Sequence, residues 1–137
     1  MIKKRVTRIF LGLMAIAFCK VAIEALVAPQ LVLANVGITL ENASAFSSMR
    51  AVYGGMHLTF GIACLIGVFR NAKFPLQLLI LYTSGFIIGR LISILTDGTP
   101  NEFVMMWLIT ETFCLIISVS LLMITDRKIE AENAIAL

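Results

Sequence analysis

The chain has 137 residues, of which 60% are hydrophobic and 14% charged, and its formal net charge is +3. Soluble domains average roughly 45–50% apolar and about 25% charged residues, so the surplus of apolar residues indicates a protein that lies in a lipid bilayer. No basic stripe interleaves with aromatic residues, which argues against a nucleic-acid-binding protein. The length suits one domain over residues 1–137.

Four long apolar runs predict four transmembrane helices. Their approximate ranges are 9–28, 46–69, 74–95 and 103–125. About 20 helical residues cross a hydrocarbon layer of ~30 Å, and each run is long enough to do so. No run alternates strictly between apolar and polar residues, and a helix satisfies its own backbone hydrogen bonds in lipid. The predicted fold is therefore all-α, an integral membrane four-helix bundle.

The first run begins after a cluster of basic residues, as a secretory signal peptide would. It is longer than the 7–15 apolar residues of a typical signal core, and it contains Lys20 and Glu24. A retained helix is therefore the prediction.

Lys and Arg residues are distributed unevenly between the connections. Those beside the membrane are Lys3, Lys4, Arg5, Arg8, Arg70, Lys73, Arg127 and Lys128. The connections 29–45 and 96–102 contain none. Because cytoplasmic loops are enriched in basic residues, both termini are predicted to be cytoplasmic, in a multi-pass protein of the cell membrane.

The two predicted outer connections differ in character. Gly98 is expected to end the third helix in a left-handed conformation, and Thr99 to cap the fourth in a capping box with Glu102. The apolar connection 29–45 is expected to lie on the outer membrane surface or to fold over the helix ends.

Small residues occur at spacings that allow helices to approach closely. Gly85 and Gly89 form a GxxxG motif in the third run, and Ala51 and Gly55 make a similar step in the second. Packing within the bundle is the preferred interpretation, ahead of homodimerisation.

Polar and charged residues lie in the outer half of all four predicted helices. The predicted polar set is Lys20, Glu24, Arg50, Tyr53, His57, Arg90, Ser93, Asp97 and Glu111. A charge at the bilayer centre costs about 2.5–3.5 kcal/mol, so these side chains are expected to point inward and meet. The set is a candidate ligand-binding site. It is also compatible with a salt-bridge network that only fixes helix register, with snorkelling to water, or with contacts to a partner protein.

Two contacts within the set follow from helix geometry. His57 shares a helical face with Tyr53 and is expected to face the bundle interior beside it. Arg90 and Glu111 lie on helices joined by a short turn, at depths that differ by ~4–5 Å, and the tilt of side chains toward each helix N-terminus closes this difference. An Arg90–Glu111 ion pair is therefore predicted.

The sequence contains no recognisable catalytic, phosphate-binding or metal-binding motif. Cys19, Cys64 and Cys114 each lie in a different apolar run and are interpreted as small core hydrophobes. No metal and no cofactor is predicted.

Several of these residues form elements that resemble a known family. They are the segment 50–55 (RAVYGG), Gly89-Arg90, Asp97-Gly98-Thr99-Pro100 and Glu111. In four short apolar spans, this combination resembles a bacterial membrane-protein family called domain of unknown function 4345, which is DoxX-like in architecture. The resemblance covers nearly the whole chain and implies a four-helix membrane bundle. It implies no reaction.

Three functions remain open from the sequence. The first is a small-molecule binding or transport module with a polar cavity in its outer half, where transport would require oligomers. The second is an accessory or structural subunit of a membrane complex. The third is a small membrane enzyme acting on a quinone or lipid, with His57 or Glu111 as acid or base. The expected partners are the lipid bilayer and a membrane protein or further copies of the chain.

Overall fold

The computed structural model describes residues 2–135, with side chains described for residues 4–125. Its elements are α1 (Ile2–Val27), α2 (Pro29–Ala34), α3 (Ala43–Met49), a π-helical segment (Arg50–Gly55), α4 (Met56–Phe69), α5 (Lys73–Asp97) and α6 (Glu102–Ile135). The side chains of Lys3, Arg127 and Lys128, on which part of the orientation argument depends, lie outside the described residues.

Four helices of the described chain are long and apolar enough to cross a membrane. They are Lys4–Val27, Ala43–Phe69, Lys73–Asp97 and Glu102–Thr125. The second of these joins α3, the π segment and α4 into one continuous rod. The prediction of an all-α, four-helix membrane protein is therefore confirmed.

The helices pack mainly as two antiparallel pairs. α1 lies along α4 and the π segment, α5 lies along α6, and a smaller contact joins α4 to α5. The apolar core is nearer the end of the bundle that carries Arg8, Arg70 and Lys73, called the basic end below. Its buried members are Leu11, Ala15, Phe18, Cys64, Leu76, Leu79 and Leu121. The opposite end, called the loop end, carries residues 28–42 and 98–101.

Close helix contacts depend on glycines other than the predicted ones. A Cβ atom added to Gly61 would lie 2.8 Å from Cys19 Sγ, and one added to Gly54 would lie 2.6 Å from the side chain of Leu26. A Cβ added to Gly85 or Gly89 would meet nothing within 4 Å. The GxxxG motif therefore does not pack inside the bundle, and that prediction is wrong.

The apolar connection at the loop end is ordered by polar contacts. The Gln30 amide accepts a hydrogen bond from Leu40 N (2.7 Å) and donates one to Ile38 O (2.9 Å). Asn101 Nδ2 donates to Asn35 O (2.9 Å), which ties the connection to the turn between α5 and α6. Leu33 is buried at 1% exposure, so the segment folds onto the helix ends.

Asparagines cap the two membrane-spanning helices that begin at the loop end. Asn42 Oδ1 accepts from Ala45 N (2.9 Å), and Asn101 Oδ1 accepts from Val104 N (3.0 Å). The predicted capping box with Thr99 at its start is therefore wrong, because α6 begins two residues later than that box requires. Gly98 follows α5 at the predicted position with a positive φ of 95°, but its ψ of −176° lies outside the left-handed helical region, so the predicted left-handed cap is wrong.

Candidate functional site

His57 lies at the centre of a group of aromatic rings between the two helix pairs. It is the second residue of α4 and is only 8% exposed. Its Nε2 atom is 2.9 Å from the Tyr82 hydroxyl on α5. The ring of Tyr53 stacks on it at 5.9 Å between centroids, and Phe18 of α1 contacts it at 5.7 Å. The prediction that His57 faces the interior beside Tyr53 is confirmed.

The second ring nitrogen of His57 has an unusual environment. Nδ1 is buried and has no hydrogen-bond partner. The backbone carbonyls of Val52 and Tyr53 lie nearby, but they are outside hydrogen-bond geometry with it. A buried polar atom without a partner costs about 1–3 kcal/mol, so this nitrogen is a ready position for a ligand or a water molecule.

A bidentate ion pair involves Arg90, which lies about two helical turns beyond Tyr82 on α5 toward the loop end. Arg90 Nε donates to Glu111 Oε2 at 2.7 Å, and Arg90 Nη2 donates to Glu111 Oε1 at 2.9 Å. Glu111 is 8% exposed, whereas the Arg90 side chain keeps 22% of its surface. The pair predicted from the antiparallel register of α5 and α6 is therefore confirmed.

Aromatic residues connect the ion pair to the histidine. Tyr82, Phe86 and Arg90 follow one another at four-residue steps on α5. The Tyr82 and Phe86 rings are 4.6 Å apart, and the Arg90 guanidinium lies over the Phe86 ring at 5.9 Å. We call Tyr53, His57, Tyr82, Arg90 and Glu111 the buried cluster.

The remaining residues of the predicted polar set do not join the buried cluster. Lys20 and Glu24 pair with each other at 2.7 Å, with side chains 70% and 50% exposed, on the face of α1 opposite the core. Ser93 donates to Asp97 at 2.9 Å, and both are exposed. The expectation that these four point inward is wrong, since each pair is satisfied within one helix at i,i+4 spacing.

Arg50 is the first residue of the π segment, and His57 lies two residues beyond the end of that segment. In this segment Met56 N bonds to Ala51 O, five residues back, so the backbone turns more widely than in an α-helix. The wide turn rotates Arg50 away from the face of His57. Its Nε donates instead to Leu26 O (3.0 Å), which satisfies a carbonyl at the end of α1. The inward position expected for Arg50 is wrong for this reason.

Sequence reasoning missed Tyr82 and the surrounding rings of Phe18, Phe60 and Phe86. Their signal was present in α5, where the four-residue steps from Tyr82 to Arg90 place three large side chains on one face. The π segment had no comparable signal, because a single sequence does not mark where a helix widens.

The buried cluster combines hydrogen-bonding groups with apolar surface. It offers an unpartnered histidine nitrogen, two phenol groups and a partly exposed guanidinium, surrounded by phenyl rings. Two surface grooves lie elsewhere, one on α6 beside Met105 and Ile109 and one beside Gln77 of α5. Chemically, the cluster suits an amphipathic molecule with a planar or apolar body and at least one polar oxygen.

Comparison with known proteins identifies the family. The sequence profile described as Domain of unknown function (DUF4345) matches residues 6–122. No curated protein and no solved structure gives a match to the chain. The matched region includes all five residues of the buried cluster and most of the four spans. The chain therefore belongs to the DUF4345 family.

Proposed function

We propose that this protein is a small-molecule-binding module of the membrane and that the buried cluster is its site. The observation that carries the proposal is the buried Nδ1 atom of His57, which has no hydrogen-bond partner although aromatic rings enclose it. A polar ligand atom at this nitrogen would remove the cost of an unsatisfied buried group.

The surroundings of the cluster support access from one side. Arg90 remains partly exposed, Tyr53 is half-buried, and the open face at Gly85 and Gly89 lies on the same helix within two turns of Tyr82. α5 packs mainly on α6 and only lightly on the rod that contains the π segment. An amphipathic molecule would enter between α5 and the π segment, with its polar group toward His57 and Arg90.

The test compares molecules that remain bound through purification. Wild-type protein and a His57→Phe variant are purified in native-membrane nanodiscs, and their organic extracts are compared by mass spectrometry. We expect a near-stoichiometric compound in the wild type that is lost from His57→Phe. Ser93→Ala is the matched control because Ser93 lies on the same helix as Tyr82 and Arg90 but is exposed. Identical extracts from wild type and His57→Phe would contradict the proposal.

A second candidate function is an accessory subunit of a membrane complex, and the open glycine face favours it. Gly85 and Gly89 lie beside Leu81 and Ile88, which are 71% and 58% exposed. Such a surface admits a closely packed helix from another protein. Because an added Cβ meets nothing within 4 Å at either glycine, a Gly85→Ile, Gly89→Ile variant is expected to fold and to lose a co-purifying partner. Unchanged co-purification would contradict this function.

A further inference from the structure

A stripe of exposed residues runs along α1 on the face opposite the core. Its members recur at alternating steps of three and four residues: Val6, Ile9, Leu13, Ile16, Lys20, Ile23 and Val27. The apolar members are between 48% and 74% exposed. An average spacing of about 3.5 residues is typical of the contact face between two helices that pack in a left-handed supercoil.

One ion pair interrupts this apolar stripe. Lys20 Nζ lies 2.7 Å from Glu24 Oε1, and the two side chains are 70% and 50% exposed. Lys20 is seven residues before the end of α1 at Val27, which places its Cα ~10 Å inside the span. Charged groups that face lipid at such depth are costly, and in membrane proteins they usually face protein or water.

We propose that two copies of the chain associate through this face of α1, with Lys20 and Glu24 at the centre of the interface. Two copies inserted in the same orientation bring their α1 helices together in parallel, related by a twofold axis. The stripe then meets itself in register.

Charge complementarity favours a second copy over another partner. In the parallel arrangement, Lys20 of each copy lies about 6 Å along the helix axis from Glu24 of the other. The four groups alternate in sign and form a neutral ring that is removed from lipid. The apolar residues at three- and four-residue steps pack on either side of it.

The first test uses two variants, each of which reverses the charge of one member of the Lys20–Glu24 pair. Glu24→Lys makes all four charges positive in a homodimer, and Lys20→Glu makes all four negative. We expect each variant alone to lose energy transfer between fluorescently labelled copies in liposomes, and a mixture of the two variants to recover it. The Lys20→Met, Glu24→Met double variant controls for folding, since both native side chains are exposed. Retained association of the single variants, or no recovery in the mixture, would overturn the proposal.

The second test locates the contact by crosslinking. Cys19, Cys64 and Cys114 are free thiols and are replaced by alanine in the starting protein. Ile16→Cys is then compared with Leu81→Cys, whose native side chains are 69% and 71% exposed. Each lies eight residues from a basic residue at the basic end, Arg8 or Lys73, so the two have similar depths.

We expect an oxidant to crosslink Ile16→Cys into a dimer and to leave Leu81→Cys monomeric. A crosslink at Leu81 alone would assign the contact to the glycine face of α5 and overturn the proposal. Equal yields at both positions would indicate random collision, and no crosslink at either would indicate no dimer. Both outcomes also count against it.

Discussion

At the scale of single residues, the Arg90–Glu111 pair joins a buried carboxylate to a partly exposed guanidinium. Two hydrogen bonds of 2.7 and 2.9 Å join the side chains, and the carboxylate is almost fully buried. Bidentate pairs fix orientation as well as charge, so this contact sets the register of α5 against α6. It also holds the guanidinium over Phe86, on the side that leads to Tyr82 and His57.

Replacing Arg90 alone should lower the free energy of unfolding by more than replacing both Arg90 and Glu111. Arg90→Ala leaves the buried Glu111 carboxylate without a partner, and we expect it to lower the free energy of unfolding by about 3–5 kcal/mol. Glu111→Ala leaves a guanidinium that is 22% exposed, so its loss should be smaller. The double variant should lose far less than the sum of the two. Denaturation of the purified variants in mixed micelles measures all three values.

Glu102→Gln is the control for this cycle, because Glu102 is an exposed acidic residue at the start of the same helix. It should change the free energy of unfolding by at most about 0.5 kcal/mol. Strictly additive losses in the Arg90 and Glu111 variants would show that the pair contributes no coupling energy.

At the scale of elements, the second span is shaped by residues without bulky side chains. Gly54 and Gly61 face α1, where Leu26 and Cys19 occupy the space that a Cβ would need. The π segment, which contains Gly54, adds a wide turn before α4 and brings Tyr53 over the ring of His57. The close approach of α1 and the position of the candidate site are therefore set by the same six-residue segment and its neighbours.

Alanine substitutions at Gly61 and Gly85 distinguish the effect of helix packing on stability from the effect of helix propensity. In Gly61→Ala, the new Cβ would lie 2.8 Å from Cys19 Sγ and 3.4 Å from Ala15 O, so we expect a loss of about 1–3 kcal/mol in unfolding free energy. In Gly85→Ala nothing lies within 4 Å, so stability should be unchanged or slightly higher. Thermal unfolding in detergent compares the two. An equal change in unfolding free energy for the two variants would mean that contact with α1 does not govern the effect at Gly61.

At the scale of the whole molecule, the sequence pattern predicted those features that depend on helix geometry alone. The four spans and the Arg90–Glu111 pair follow from run length and from the short turn between α5 and α6. The positions of Lys20 and Arg50 could not be predicted in this way. Lys20 pairs with Glu24 within its own helix, and Arg50 is displaced by the π segment. These depend on local partners and on a change of helix type that periodicity does not encode.

The orientation of the bundle is a further property of the whole molecule. Arg8, Arg70 and Lys73 lie at one end, and the connections at the other end contain neither Lys nor Arg. This asymmetry predicts that the basic end is cytoplasmic and that the buried cluster, which lies toward the loop end, is nearer the outer face.

Labelling in intact cells tests this orientation directly. Asn35 and Thr99 are exposed at the loop end, and Asn71 is exposed at the basic end. In a protein whose three native cysteines are replaced by alanine, Asn35→Cys and Thr99→Cys should react with a membrane-impermeant maleimide added outside. Asn71→Cys should react only after the cells are opened, because the excess of basic residues holds its loop in the cytoplasm. Labelling of Asn71→Cys in intact cells, with Asn35→Cys protected, would reverse the assignment and place the buried cluster in the cytoplasmic half of the membrane.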